Sequence, residues 1–213
     1  MAVAKDYPVM LDLRGACCLV VGGGQVASRK IGGLLAAGAE VVVISPQLGA
    51  AIRDWQHDGK LTVYERCYEA GDLQLLKSTP VKLVFAATDC HDVNRMVAEE
   101  ARACGVLVSS ASEPEKGSFR LPAVLRRGDL TISVSTGGAS PMLTQKIRDE
   151  LAQQYGEEYE TLVAFFAQVR RHVLNTVADE RERRRYFARF MEMDTAELLQ
   201  AIREQRFEID YSE

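Results

Sequence analysis

Two short stretches of this chain have the residue types and spacing to hold an anion. The first, Gly22-Gly23-Gly24-Gln25-Val26-Ala27, follows an apolar run and leads into residues of helical periodicity. It fits G-x-G-x-x-A, the strand-to-helix turn that cradles a dinucleotide. Gly22 permits the tight turn, Gly24 lets a pyrophosphate approach the backbone, and the small Ala27 lets helix and strand pack closely. The free N–H groups and the positive end of the helix then face the phosphates. The second stretch is Ser135-Thr136-Gly137-Gly138-Ala139-Ser140-Pro141. Gly137 and Gly138 stand just before a helix whose start is specified by Ser140 as N-cap and Pro141 at its first position. Backbone donors and a positive helix end are offered there as well. Arg120, Arg126, Arg127 and Lys146 fall in the same segment and can take further anions, arginine by bidentate pairing.

A glycine turn works this way only between a strand and a helix. Short, β-branched, continuously apolar strands are expected at Cys17–Val21, Val41–Ser45, Leu61–Glu65, Lys82–Ala87 and Val106–Ser110, as in a parallel sheet covered on both faces. Helices are expected at Val26–Ala37, closed by Gly38, around Gly49–His57, and at Val93–Cys104, closed by Gly105. This alternation predicts an α/β fold: a Rossmann-type doubly wound parallel sheet over residues 1–111. The acidic residue that often closes the second strand to hold a ribose is absent, and Ser45, Pro46 and Gln47 stand there instead. Ser45 can hydrogen-bond a ribose hydroxyl without repelling a 2′-phosphate, so the expected cofactor leans to NAD and leaves NADP open. After the fourth strand, Thr88 is expected to line the cofactor at the switch point. Asp89 either joins it or begins the turn into the next helix.

Beyond residue 111 the pattern changes. The segment from Leu121 supplies one short helix, an alternating strand at Leu130–Ser135 and the helix opening at Ser140-Pro141, so 112–150 is expected to be a small α+β region. Residues 151–213 carry helix-period apolar positions throughout and are expected to form an all-helical domain. The basic run at 181–185 is expected to be a solvated helix face among glutamates.

Composition bounds the function. With 213 residues, 47% apolar and 26% charged, the chain is an ordinary globular protein, and its formal charge of -4 argues against a nucleic-acid partner. No apolar run approaches the roughly 20 residues of a membrane span, and the first residues lack a leader pattern. A cytoplasmic location is therefore expected. The five cysteines are odd in number, lack C-x-x-C spacing, and are expected to be mostly buried apolar side chains in a reducing compartment. The three histidines lie far apart, so no metal site is expected.

The stretches YPVMLDLRGACCLVVGGGQVASRK, VFAATD and SFRLPAVLRRGDLTISVSTGGASPMLTQKIRDEL closely resemble the precorrin-2 dehydrogenase / sirohydrochlorin ferrochelatase family over about residues 7 to 154. The resemblance implies NAD-dependent oxidation of precorrin-2 to sirohydrochlorin in sirohaem synthesis and, in some members, insertion of ferrous iron. It also implies a homodimer joined through roughly 112–150. By position, Gln25, Val26, Pro46 and Gln47 fall where family members contact NAD. Thr136 falls where some longer members carry a phosphorylatable serine. A multiply carboxylated substrate also suits the second glycine stretch, so Arg120, Thr136, Gly137, Gly138 and Ser140 are expected to bind it.

The chain departs from the family at one position. Aligned on S-F-x-x-P, the family's aspartate, proposed to take a proton, falls on Ser112 of SSASEPEKGSF. A serine hydroxyl without an activating partner is not a competent base near neutral pH. Three readings follow. Glu113 supplies the carboxylate instead, or oxidation needs no protein base and binding and orientation supply the rate, or only tetrapyrrole or NAD binding is left. The second is preferred, and it predicts a dehydrogenase with weak or absent ferrochelatase activity. The alternatives are a bifunctional dehydrogenase and ferrochelatase, or a non-catalytic NAD-sensing module.

Overall fold

The five apolar runs pair side by side in one parallel sheet. Its strands are β1 (Cys17–Val21), β2 (Glu40–Ile44), β3 (Leu61–Tyr64), β4 (Val81–Ala86) and β5 (Leu107–Ser110), in the spatial order β3-β2-β1-β4-β5. The computed structural model describes residues 6–75 and 80–204, so residues 205–213 of the expected helical domain lie outside the described residues. β2 and β4 stop one residue short of the expected ends, yet Ser45 N–H still donates to Tyr64 O at 3.2 Å and Ala87 N–H to Val21 O at 2.8 Å. Successive side chains point to opposite faces of a strand, which is why the central run β1 is apolar throughout and buried at every position. Cys18, Val20, Val43 and Phe85 enter one core with Ala27, Ile31 and Ile52. Leu19, Val21, Val84 and Val108 enter the other with Val97, Ala98 and Ala101.

The helices α1 (Gln25–Ala36), α2 (Ala50–His57) and α4 (His91–Ala103) cover the sheet, and a single turn, α3 (Asp72–Leu75), follows β3. Gly38 and Gly105 close α1 and α4 at φ +71° and +70°, the left-handed conformation expected of them. α3 carries too few residues for periodicity to reveal it. It is held by tertiary partners: buried Asp72 accepts from Arg66 Nη1 at 2.6 Å, Arg66 Nη2 at 2.7 Å and the Glu69 N–H at 2.8 Å.

The chain divides into two compact units, one ending at Arg120 and the other beginning at Leu121. The second unit opens with an antiparallel hairpin of β6 (Ala123–Arg127) and β7 (Leu130–Val134). The short helix expected after Leu121 is therefore a strand. Five residues of Ala, Val, Leu and Arg do not reveal a period, whereas the two-residue connection Gly128-Asp129, with Gly128 at φ +53°, turns the chain back onto β7. Among the described residues four helices follow, α5 (Pro141–Gln154), α6 (Glu158–Thr176), α7 (Glu180–Met191) and α8 (Thr195–Arg203). Leu162, Phe165, Val169 and Val173 of α6 pack with Phe190 and Leu198 in a core of their own. No residue of α5 is buried.

Candidate functional site

The turn after β1 is shaped by its neighbours. Gly22 sits at φ +126°, and a Cβ there would lie 2.7 Å from the Ala87 carbonyl carbon. A Cβ on Gly23 would overlap the Gln47 carbonyl oxygen and come within 2.8 Å of Ser45 Oγ. The Gly23 carbonyl accepts from Gly49 N–H at 2.9 Å, which ties this turn to the loop before α2. Gly24 differs: a Cβ there would meet nothing within 4 Å. Gly24 is also the N-cap of α1, without a side-chain cap and without an acidic residue in the first turn. A side chain at Gly24 would thus enter open space, and no capping side chain takes the first amides of α1, which is what a phosphate needs. Ala27 is fully buried beneath it, and Gln25 and Val26 are exposed on the rim. Gly23 is the contributor that the sequence pattern, with its free middle position, does not reveal.

At the end of β2 the Ser45 hydroxyl is buried and donates to the Gln47 carbonyl at 2.7 Å. It braces the loop from within, and Pro46 and Gln47 are its exposed residues. At the end of β4, Thr88 is gripped by an unforeseen residue, Asn94. Thr88 N–H and Oγ1 donate to Asn94 Oδ1 at 3.0 and 2.8 Å, and Asn94 Nδ2 donates to the Thr88 carbonyl at 2.9 Å. Asn94 is fully buried on the stripe Asn94, Val97, Ala98, Ala101 of α4. An amide at an otherwise apolar i, i+3, i+4, i+7 position was the signal available in the sequence. Asp89 is exposed.

Asn94 Nδ2 also donates to Ser112 Oγ at 3.0 Å, so the two loops at the carboxyl ends of β4 and β5 meet on one side chain. Ser112 thus faces an amide donor and no base. Glu113 is held 2.9 Å from Lys116 Nζ, and that ion pair draws its carboxyl below the usual range against the opposing effect of burial. A carboxylate so stabilised is a weaker base than a free one.

In the second unit, Ser140 caps α5 by accepting from Leu143 N–H at 3.2 Å. Thr136 Oγ1 accepts from Ser140 N–H at 3.1 Å and lies 3.0 Å from Thr144 Oγ1. Gly137 and Gly138 take φ of +63° and +89°, and Gly137 N–H already donates to Ser135 Oγ at 3.2 Å. Three of the four basic residues have acidic partners of their own. Arg120 pairs with Asp6 at 2.9 Å in the first unit, Arg127 with Glu157 at 3.3 Å, and Lys146 lies 3.8 Å from Glu150. Cys17 and Cys18 are buried and desolvation pushes the Cys18 thiol up to about 11, whereas Cys67, Cys90 and Cys104 are exposed. The expected burial fails for those three because Cys90 and Cys104 flank α4 and Cys67 lies in the loop after β3. Among the described residues no group of three or more His, Cys, Asp or Glu is placed to hold a metal ion, and no helix is long and apolar enough to cross a membrane.

Comparison with known proteins adds two family models, two relatives and one solved structure. Residues 9–123 match a family model described as "Putative NAD(P)-binding", and residues 127–154 match one described as the central part of a sirohaem biosynthesis protein. The chain is 38% identical over 164 residues to a precorrin-2 dehydrogenase of Priestia megaterium, covering 77% of this chain and 78% of that one. It is also 38% identical over 194 residues to a siroheme synthase of Methylococcus capsulatus, covering 91% of this chain but only 40% of that protein, so it spans about two fifths of such relatives. Among solved structures it is similar to the precorrin-2 dehydrogenase SirC, with a TM-score of 0.77 and 29% identity over 95% of this chain and 100% of that one.

Proposed function

Because this chain belongs to the family of precorrin-2 dehydrogenases and siroheme synthases, we propose that it oxidises precorrin-2 to sirohydrochlorin with NAD. The observation that carries this reading is the uncapped, unobstructed amide end at Gly24, set at the switch point between β1 and β4. Its cradle fits a nicotinamide dinucleotide: Gly22, Gly24 and Ala27 admit the pyrophosphate, Gln25 and Val26 flank it, Pro46 and Gln47 form the ribose side with Ser45 bracing them from beneath, and Thr88 lines the nicotinamide side. The loop 45–49 carries no cation to pair a 2′-phosphate, which favours NAD over NADP. When bound, that cofactor would supply the acceptor for a hydride from the substrate, and the accompanying proton would leave to solvent or to a pyrrole nitrogen of the substrate. The chain's own contribution is binding and orientation. Arg120, Thr136, Gly137, Gly138 and Ser140 are assigned to the substrate's carboxylates.

Ser112 accepts a hydrogen bond from Asn94, and Glu113 is paired with Lys116. Neither is set up as a base, so metal insertion, which must strip two pyrrole protons, is proposed to be weak or absent. Residues 1–111 are assigned to the cofactor, 112–150 to dimerisation and substrate, and 151–213 to a helical domain. A homodimer is supported by α5, which buries no residue and leaves Met142 82% exposed. The unpaired thiols suit a reducing cytoplasm. The test is anaerobic: precorrin-2 is mixed with the protein and NAD, and ferrous or cobaltous ion is then added. The spectrum of sirohydrochlorin is expected to develop with NAD, and metal insertion no faster than the uncatalysed rate. NAD binding without any change in the porphyrinoid spectrum overturns the enzyme reading, and insertion as fast as oxidation overturns the division of activities. A Ser112→Asp variant is expected to gain chelation.

A further inference from the structure

Asn94 is 0% exposed, so both ends of its amide must be satisfied by the protein. The backbone of Thr88 decides which way the amide faces. Thr88 N–H donates to one end at 3.0 Å and the Thr88 carbonyl accepts from the other at 2.9 Å. A flipped amide would set donor against donor and acceptor against acceptor. The remaining Nδ2 proton points at Ser112 Oγ, 3.0 Å away, so Ser112 must accept there. A serine hydroxyl carries a single proton, and that proton is therefore directed away from Asn94. Ser112 is half-buried just past β5, beside the Thr88 loop, at the strand ends where open α/β sheets bind their ligands.

We infer that Asn94 is a positioning residue that sets the Ser112 hydroxyl as a hydrogen-bond donor to an acceptor atom of the substrate, a carboxylate oxygen or a ring nitrogen. Position 112 then recognises substrate without removing a proton, and Asn94 locks it to the loop of Thr88. The inference rests on the reading of the chain as a tetrapyrrole dehydrogenase.

Two measurements test it. In the ligand-free protein, the side-chain amide protons of Asn94 are followed by NMR in wild type and in Ser112→Ala. One of the two is expected to shift and lose protection, and two unmoved resonances overturn the orientation. Binding of sirohydrochlorin is then titrated by absorbance, without turnover. Ser112→Ala is expected to weaken it about tenfold, with Ser112→Thr restoring most of the loss and affinity for NADH changing less than about twofold. In an Asn94→Ala background the same Ser112→Ala change is expected to cost no more than about twofold. A full tenfold loss there shows that Asn94 is only structural and overturns its positioning role. Ring binding unaffected by Ser112→Ala, with oxidation intact, sinks this inference alone, whereas ring binding that falls as expected without oxidation of precorrin-2 sinks the dehydrogenase reading alone.

Discussion

The two glycine turns look alike in the sequence and are built by opposite means. Gly22-Gly23-Gly24 is wedged against Ala87 and Gln47, residues that follow β4 and β2, and only its last member faces open space. Gly137-Gly138 belongs to a loop that satisfies itself: the Thr136 hydroxyl bonds to the Ser140 backbone, the Thr136 carbonyl accepts from Ala139 N–H, Ser140 Oγ accepts from Leu143 N–H in the first turn of α5, and a Cβ on Gly137 would meet nothing within 4 Å. The first turn borrows its shape from the sheet and keeps its helix amides uncapped. The second makes its own shape and spends several of its N–H groups in doing so. A bound anion needs free donors, so the first turn is the better-prepared anion site although it is the less self-sufficient one.

This contrast can be broken or sharpened by substitution. The largest effect is expected for Gly23→Ala, whose methyl would overlap the Gln47 carbonyl. Denaturant unfolding should show a loss of more than about 3 kcal/mol or no folded protein; a stable variant would mean that the turn does not depend on the loop before α2. Next comes Gly24→Ala. The fold should survive with a melting temperature within a few degrees, while the methyl fills the approach to the backbone and the Kd for NAD rises about tenfold or more. Unchanged affinity would place the pyrophosphate elsewhere. Smallest are the changes in the second turn: Gly137→Ala at φ +63° and Ser140→Ala at the cap of α5 should each cost about 1 kcal/mol. A loss there as large as that of Gly23→Ala would erase the distinction between the two turns.

The parallel sheet was legible because buried strands between two helical layers must be apolar on both sides, as Cys17–Val21 and residues 83–86 are. The caps Gly38, Gly105 and Ser140 were legible because each answers a local backbone requirement. β6 was misread because five residues carry no decisive period, and its state was set by pairing with β7. Within the candidate site, the tight turn at Gly22, the open side of Gly24 and the burial of Ala27 could be anticipated from their spacing. The roles of Gly23 and Asn94 could not, since each depends on atoms distant in sequence: the Gln47 carbonyl for one, Ser112 Oγ for the other. Ser45 illustrates the same limit. Its hydroxyl was expected to face a ribose, and the direction of its proton was decided by a carbonyl two residues on.

By itself the sequence determined which segments are strands of a covered sheet, where α1, α2 and α4 run and where α5 begins, and that a glycine turn of the dinucleotide-binding pattern follows the first strand. These follow from short-range rules of periodicity, capping and backbone freedom, which need only neighbouring residues. Only the tertiary structure decided that the middle glycine is the most confined, that a buried asparagine joins the loops after β4 and β5, and that Ser112 receives a hydrogen bond from it. Hydrogen-bond direction and steric confinement arise between segments brought together by the fold, and no local pattern records them.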